Sequence, residues 1–209
     1  MKQYPKIPNT KDAEGRKHFG DFCFAFYKYD GSCLRFEWSK KRGWFKFGTR
    51  RRLFDQTDKD FGCAIEVFMQ NHAEDLERVF RDNKNYNRFD KFVVFAEFFG
   101  PNSFAGLHKV NDPKELRIID VAQIKKGIIG PKQFIKDFGH LNIAELIYQG
   151  KMTGNFTQGV RDGKYPVDEG VVCKGGEDHK LWMMKIKTTD YLKRLKEVFQ
   201  GNEWKNYWE

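Results

Sequence analysis

The chain has 209 residues, 40% of them apolar, with 21 Phe, 8 Tyr and 5 Trp; this excludes disorder, because disordered chains are poor in aromatics and cannot offset ordering entropy. Its formal net charge of +9, from 38 Lys+Arg against 29 Asp+Glu, points to a polyanionic partner: nucleic acid, nucleotide or anionic membrane. No stretch approaches the roughly 18 apolar residues of a membrane span, Met1 to Arg16 hold no apolar signal core, and the four cysteines lack paired short spacing, so one soluble, cytoplasmic domain over residues 1–209 with reduced thiols is expected.

Phe22 to Tyr27 is a nearly continuous apolar run that reads as a buried strand, followed by the polar turn Lys28-Tyr-Asp-Gly-Ser32. Leu34 to Trp38 alternates as a half-buried strand, and Trp44 to Phe47 is another run. From Phe61 the period changes: Ile65, Phe68, Met69, His72, Leu76, Val79 and Phe80 form a helical stripe ending near Asn83. Phe92 to Phe99 and Leu116 to Val121 read as strands. Pro131 opens a short helix that Gly139 stops. A further helix is expected around Ile143 to Tyr148, then a loop-rich connection from Gly150 to Lys164 with at most one helical turn. Two strands, Gly170 to Lys174 and Leu181 to Lys187, flank the Gly175-Gly176 turn, and an amphipathic helix runs from Tyr191 to Phe199. The pattern predicts an α+β domain, with antiparallel-rich sheets flanked by helices.

Four places carry candidate chemistry. Lys28 ends an apolar strand; it is either a solvent-facing strand end or a nucleophile whose amine nearby cations and burial hold neutral. Lys185 and Lys187 share one face of their strand with Met183, as a basic edge or as two cations aimed at phosphate, while Trp182, Met184 and Ile186 bury the other face. Asp168-Glu169 at a strand mouth is either a solvated turn or a Mg²⁺ site. Glu97 interrupts an apolar strand, where a ribose hydroxyl or an internal salt bridge would satisfy it.

Taken in order, Lys28-Tyr-Asp-Gly-Ser32, Ala96-Glu-Phe-Phe-Gly100, Ile119-Asp-Val121, Glu169-Gly-Val-Val-Cys-Lys174 and Lys185-Ile-Lys187 resemble the nucleotidyltransferase motifs of covalent polynucleotide ligases and mRNA capping enzymes, and are most similar to phage-type RNA ligases. The resemblance spans roughly residues 20 to 190. It implies a nucleotidyltransferase (ATP-grasp-like ligase adenylation) domain that uses ATP and Mg²⁺ or Mn²⁺ to join RNA or DNA strand ends, as a monomer. By the same resemblance, Lys28 takes the adenylate, Asp30, Gly31, Arg50, Glu97 and Ile119 contact the nucleotide, Glu169 engages the metal, and Lys185 and Lys187 hold the α-phosphate. Arg51 is the rival to Arg50.

Departures from the family pattern are visible too. Phe26 and Tyr27 stand where many ligases carry a base-reading glutamate, and Ile118-Ile119 stand where many carry a stacking aromatic. With 22 residues after Lys187, no appended oligonucleotide-binding fold is expected. The expected grip on nucleic acid is therefore the stretch from Arg35 to Arg52, where Lys40, Lys41, Arg42, Lys46, Arg50, Arg51 and Arg52 interleave with Phe36, Trp38, Trp44, Phe45 and Phe47. A hairpin with a solvated basic face and a buried aromatic face gives the same pattern. Trp204, Lys205, Tyr207 and Trp208 either add to that grip or cover the core.

Overall fold

The apolar runs pair into two antiparallel sheets. The computed structural model describes residues 3–101, 109 and 111–206, so Tyr207 and Trp208 lie outside the described residues. One sheet has the order β10-β9-β1-β8, built from β1 (Phe22–Lys28), β8 (Leu146–Lys151), β9 (Gly170–Gly175) and β10 (Trp182–Lys187). The other has the order β4-β3-β2-β5-β6-β7, built from β2 (Ser32–Ser39), β3 (Gly43–Thr49), β4 (Leu53–Phe54), β5 (Lys91–Phe99), β6 (Glu115–Gln123) and β7 (Gly127–Ile128). The helices are α1 (Ala13–Arg16), α2 (Gly62–Asn71), α3 (Ala73–Asp82), α4 (Pro131–Phe138), α5 (Gly154–Arg161) and α6 (Thr189–Val198). The expected α+β class is observed.

Strand alternation sorts the side chains into layers. Leu34, Phe36 and Trp38 of β2, with Phe92, Val94 and Ala96 of β5, bury against α2, α3 and α4; Phe36 stacks on Phe68 at 3.9 Å and Phe80 on Phe92 at 4.1 Å. Cys23, Ala25, Val171, Cys173, Met184 and Ile186 bury against Phe156 and Val160 of α5. A third cluster joins Val93, Phe95 and Ala122 of the six-stranded sheet to Met183 of the four-stranded one, with Tyr4 between them. The second face of each sheet therefore looks into a shared cleft.

Lys174 and Asp120 tie that cleft together. The Lys174 ammonium is 2.8 Å from Asp120 Oδ2 and donates to the Ile119 carbonyl at 2.6 Å, and the Tyr4 hydroxyl donates to the same carboxylate. Phe26 and Phe134 lie under the ammonium at 4.8 and 5.8 Å, so the cation is buried with both a counter-ion and π faces.

Four local expectations change. The stripe from Phe61 to Asn83 is two helices, because His72 adopts φ −136°, ψ −31° and divides α2 from α3. The helix expected at Ile143 to Tyr148 is extended instead: Leu146 pairs with Phe26, Tyr148 with Ala25, and Ile143 bridges Ile118, so sheet pairing overrides the apolar spacing. The loop expected from Gly150 to Lys164 contains the two-turn helix α5, started by Thr153, whose hydroxyl accepts from the Phe156 amide at 3.1 Å. Finally, β10 is buried on both faces, since Met183 and Lys187 are covered as well as Met184 and Ile186.

Candidate active site

Sheet register assembles the site. Lys28 of β1 pairs with Gly170 of β9, and Gly170 pairs with Lys187 of β10, so the two lysines flank a residue without a side chain on the cleft face. Gly170 has φ +148°, and a Cβ there would stand 2.0 Å from the Ile186 carbonyl oxygen, so only glycine fits. Two residues along, Lys185 pairs with Val172 and points to the same face. Immediately before Gly170, the buried Glu169 places Oε1 at 2.7 Å from Lys28 Nζ and 3.4 Å from Lys187 Nζ.

Charge in this cluster differs from the simplest expectation for a nucleophilic lysine. Burial works to lower the Lys28 pKa, but Glu169, Glu97 and Asp30 outweigh it, so the amine lies above its ordinary value and Lys28 is an ammonium ion in the ligand-free protein. The expectation of a neutral amine is thus corrected: a carboxylate reaches Lys28 before the cations do. Lys185 is the perturbed amine, brought down to about 8 by burial and by the Lys187, Lys28 and Lys6 charges against the pull of Glu169. Lys187 is lowered as well, chiefly by burial. Burial, with help from Glu169 and Asp30 and against Lys28, raises Glu97 to about 8, so near neutral pH its carboxyl is largely protonated. The solvated-turn alternative does not hold for Glu169, which is 3% exposed.

The turn after β1 crosses from one sheet to the other. It brings Asp30, 3% exposed, to Tyr191 of α6, whose hydroxyl donates to Asp30 Oδ1 at 2.8 Å. A Cβ on Gly31 would meet the Phe98 carbonyl oxygen at 2.4 Å, which is why the residue after Asp30 has none. The start of β2 thereby sits beside the end of β5, with Cys33 opposite Glu97. Arg50, just past β3, acts on both Glu97 and Cys33, and its guanidinium donates to the Pro5 carbonyl at 3.4 Å. Ile119 is half-buried at the cleft wall, its carbonyl held by Lys174.

Three contributors escaped the sequence reading. Thr188 caps α6 by accepting from the Tyr191 amide at 3.1 Å, and its hydroxyl donates to the Asp168 carbonyl at 2.7 Å. Tyr191 lies under the Lys187 ammonium at 4.9 Å, and the Tyr27 hydroxyl donates to Asp168 Oδ2 at 2.5 Å. Thr188 directly after Lys187 and before an amphipathic run is a readable N-cap residue; nothing local marks Tyr27 as a partner for a residue 141 positions later.

The basic stretch from Arg35 to Arg52 divides. Arg50 and Arg51 follow β3 at the cleft end, because Thr49 pairs with Leu34 near the start of β2. Lys40, Lys41 and Arg42 form the opposite hairpin tip, about 23 Å along β2 from Ser32 at the usual strand rise. The tip and Lys46 line a hollow with Phe45, Glu37 and Asp90, where Arg42 and Lys46 sit over the Phe45 ring at 5.2 and 5.9 Å. Arg52 is taken up by ion pairs with Asp58 and Asp60. Phe36 and Trp38 are buried and present no faces to bases, while Trp44 and Phe47 pack on the same core and are partly covered. Trp204 packs on α6 beneath Lys196 and Lys205, a covering role.

Comparison with solved structures places this architecture. Naegleria gruberi RNA ligase with PPi superimposes with a TM-score of 0.67 at 13% identity over 94% of this chain, and a mutant of that ligase with ATP and Mn gives 0.66 at 14% over 91%. This chain has an RNA ligase-like fold. A further mutant with AMP and Mn matches at 0.67 and 13% over 92% of this chain. The chain spans 57% to 58% of the length of these neighbours. No family model and no curated protein matches it by sequence.

A divalent cation can be tested against the donors present. Among the described residues, no three His, Cys, Asp or Glu side chains gather as a protein-only cage. The carboxylate of Glu169 beside the Lys28 and Lys187 ammonium groups fits the other common mode, in which one or two carboxylates and substrate phosphates share a hard cation.

Proposed function

We propose that the protein is an ATP-dependent polynucleotide ligase of the RNA ligase type, whose adenylation domain joins 5′-phosphate and 3′-hydroxyl ends through a lysyl-AMP on Lys28. The observation that carries this reading is the Glu169 carboxylate shared by Lys28 and Lys187 on the cleft face that also bears Lys185. Neighbours of the same fold that hold ATP and Mn, AMP and Mn, or PPi support a nucleotide in this cleft and give no preference between Mg²⁺ and Mn²⁺.

In the resting site Lys28 is paired, protonated and unreactive. When Glu169 is engaged elsewhere, the strongest hold on the Lys28 proton is lost, and burial with the Lys185 and Lys187 charges pulls toward the neutral amine against the weaker pull of Glu97 and Asp30. A divalent cation held by Glu169 would supply countercharge to the phosphates. The Lys28 amine then attacks the α-phosphorus of ATP: an N–P bond forms, the bond to the bridging oxygen breaks, pyrophosphate leaves, and the amine proton goes to solvent. Lys185 and Lys187 stabilise charge developing on the α-phosphate, and Glu97 offers a proton or a lone pair to a ribose hydroxyl. Asp30 and Gly31 hold the turn that aims Lys28, Arg50 stands over the ribose side, and Ile119 packs toward the base. The adenylate next passes to a 5′-phosphate, and a 3′-hydroxyl displaces AMP to seal the strand.

Incubation with α-labelled ATP and a divalent metal tests the first step: wild type should retain label after denaturation and Lys28→Ala should not. Label that survives in Lys28→Ala, or no label on wild type with Mg²⁺ or Mn²⁺, would overturn the reading. Nicked and single-stranded substrates with RNA or DNA on each side of the break assign the polymer.

A further inference from the structure

The segment before α1 is bound to the catalytic sheet. The Lys185 amide donates to the Pro8 carbonyl at 3.0 Å, and Asn9 forms a parallel bridge with Lys185, so this segment runs along the free edge of β10. One residue further on, Thr10 opens a pocket of about 560 Å³ completed by Lys11, Arg16, Phe19 and Arg161. Three cations enter it from three segments: the strap along β10, the end of α1 and the end of α5. No carboxylate is among the lining residues.

The cations are held in place. Arg16 donates to the Lys11 carbonyl through Nη2 at 2.7 Å and Nε at 2.9 Å, and Arg161 Nη2 donates to the buried Thr10 hydroxyl at 2.8 Å. A guanidinium carries five N–H donors, so these bonds orient Arg16 without exhausting it. Phe19 is 42% exposed, a large apolar face beside the cations. Fixed guanidinium groups suit phosphate oxygens, and an exposed ring among cations suits stacking by an unpaired base.

We propose that this pocket at the β10 edge holds the phosphate backbone of a single-stranded polynucleotide whose end is presented to Lys28. The proposal deepens the ligase reading and rests on it for the position of the reacting end. It also relocates the grip: the strand is held next to Lys185 by Lys11, Arg16 and Arg161, and the hairpin tip at Lys40 to Arg42 is left out.

The test measures binding of a 5′-phosphorylated single-stranded RNA, and of the matching DNA, by fluorescence anisotropy across a salt series. It compares wild type, Lys11→Gln/Arg16→Gln, Phe19→Ala and Lys40→Gln/Lys41→Gln/Arg42→Gln. Losing two phosphate contacts should make the slope of log K against log salt shallower by about 1.4, and losing a stacked base should weaken binding about five-fold or more. The hairpin variant should match wild type. An unchanged slope in Lys11→Gln/Arg16→Gln, or the slope change appearing in the hairpin variant instead, overturns the proposal. Arg16→Lys, which keeps the charge, should keep the wild-type slope; a slope lowered by it as well would mean the α1 region had been disturbed and would also overturn the assignment. Uptake of labelled AMP by the variants separates the two readings. If wild type takes no label yet its strand binding depends on the pocket, the ligase reading fails and the pocket stands.

Discussion

Replacing Glu97 by glutamine should stabilise the ligand-free protein and impair its use of the nucleotide. The carboxyl titrates near 4.5 in an unfolded chain and near about 8 in the fold, because the cleft buries it beside Glu169 and Asp30. Between these values the folded state binds more protons than the unfolded state, so this group makes stability fall as pH rises. Integration gives a destabilisation of about 0.8 kcal/mol at pH 5 and about 3.4 kcal/mol at pH 7. Glutamine has the same shape and no ionisation, so its advantage over wild type should grow by about 2.5 kcal/mol between those two conditions, equivalent to about 5–10 °C in melting temperature for a chain of this size. Urea unfolding of both proteins at pH 5, 6 and 7 measures that difference directly. An advantage that does not change with pH, or one that shrinks as pH rises, refutes the argument that burial among carboxylates raises Glu97.

Lys174→Met should cost about 3–5 kcal/mol in urea unfolding, because it leaves Asp120 buried without its cation; adding Asp120→Leu should restore most of the loss, and a single-variant cost below about 1 kcal/mol would refute the network's role. Pyrophosphate affinity, followed by titration calorimetry, should fall as pH rises through about 8, where Lys185 loses its charge. Lys6 is one of the cations that depress Lys185, so in Lys6→Ala that fall should move to higher pH; an unmoved midpoint would show that Lys6 does not act on Lys185. Lys28→Ala should lose all labelled AMP that survives denaturation.

Most strands were legible because their apolar faces are long and their ends are marked. Phe22 to Tyr27, Phe92 to Phe99 and Leu116 to Val121 are each one strand, and Pro131 with Gly139 brackets α4 as the terminal chemistry predicts. Some failures come from partners distant in sequence and others from local backbone breaks and caps. Leu146 to Lys151 has no strand signature of its own and is extended because β1 offers an unpaired edge. His72 carries an apolar-compatible spacing yet breaks the helix. The division of the basic stretch into a cleft end and a far tip follows from the reversal at Gly43, which spacing along the chain does not convey.

The site shows the same boundary at the level of single charges. Sequence spacing puts Lys185 and Lys187 on one strand face, and the sheet keeps them there. It gives no sign that Gly170 stands between Lys28 and Lys187, or that Glu169 reaches both ammonium groups. That carboxylate, with Glu97 and Asp30 behind it, reverses the sign of the Lys28 shift expected from burial and cations alone. It leaves Lys185, which is not ion-paired to Glu169, as the amine with the strongly lowered affinity for its proton. On the proposed reading the arrangement is self-protecting, since an amine left neutral would be nucleophilic at all times, whereas one paired to Glu169 holds its proton until that carboxylate is taken up by another positive charge. Glu169→Gln should therefore lower the affinity of Lys28 for its proton in the ligand-free protein. Its reaction with an amine-specific acylating reagent, read by peptide mapping from pH 7 to 10, should rise at lower pH than in wild type. A profile unchanged by the substitution would mean that Glu169 does not hold the Lys28 proton.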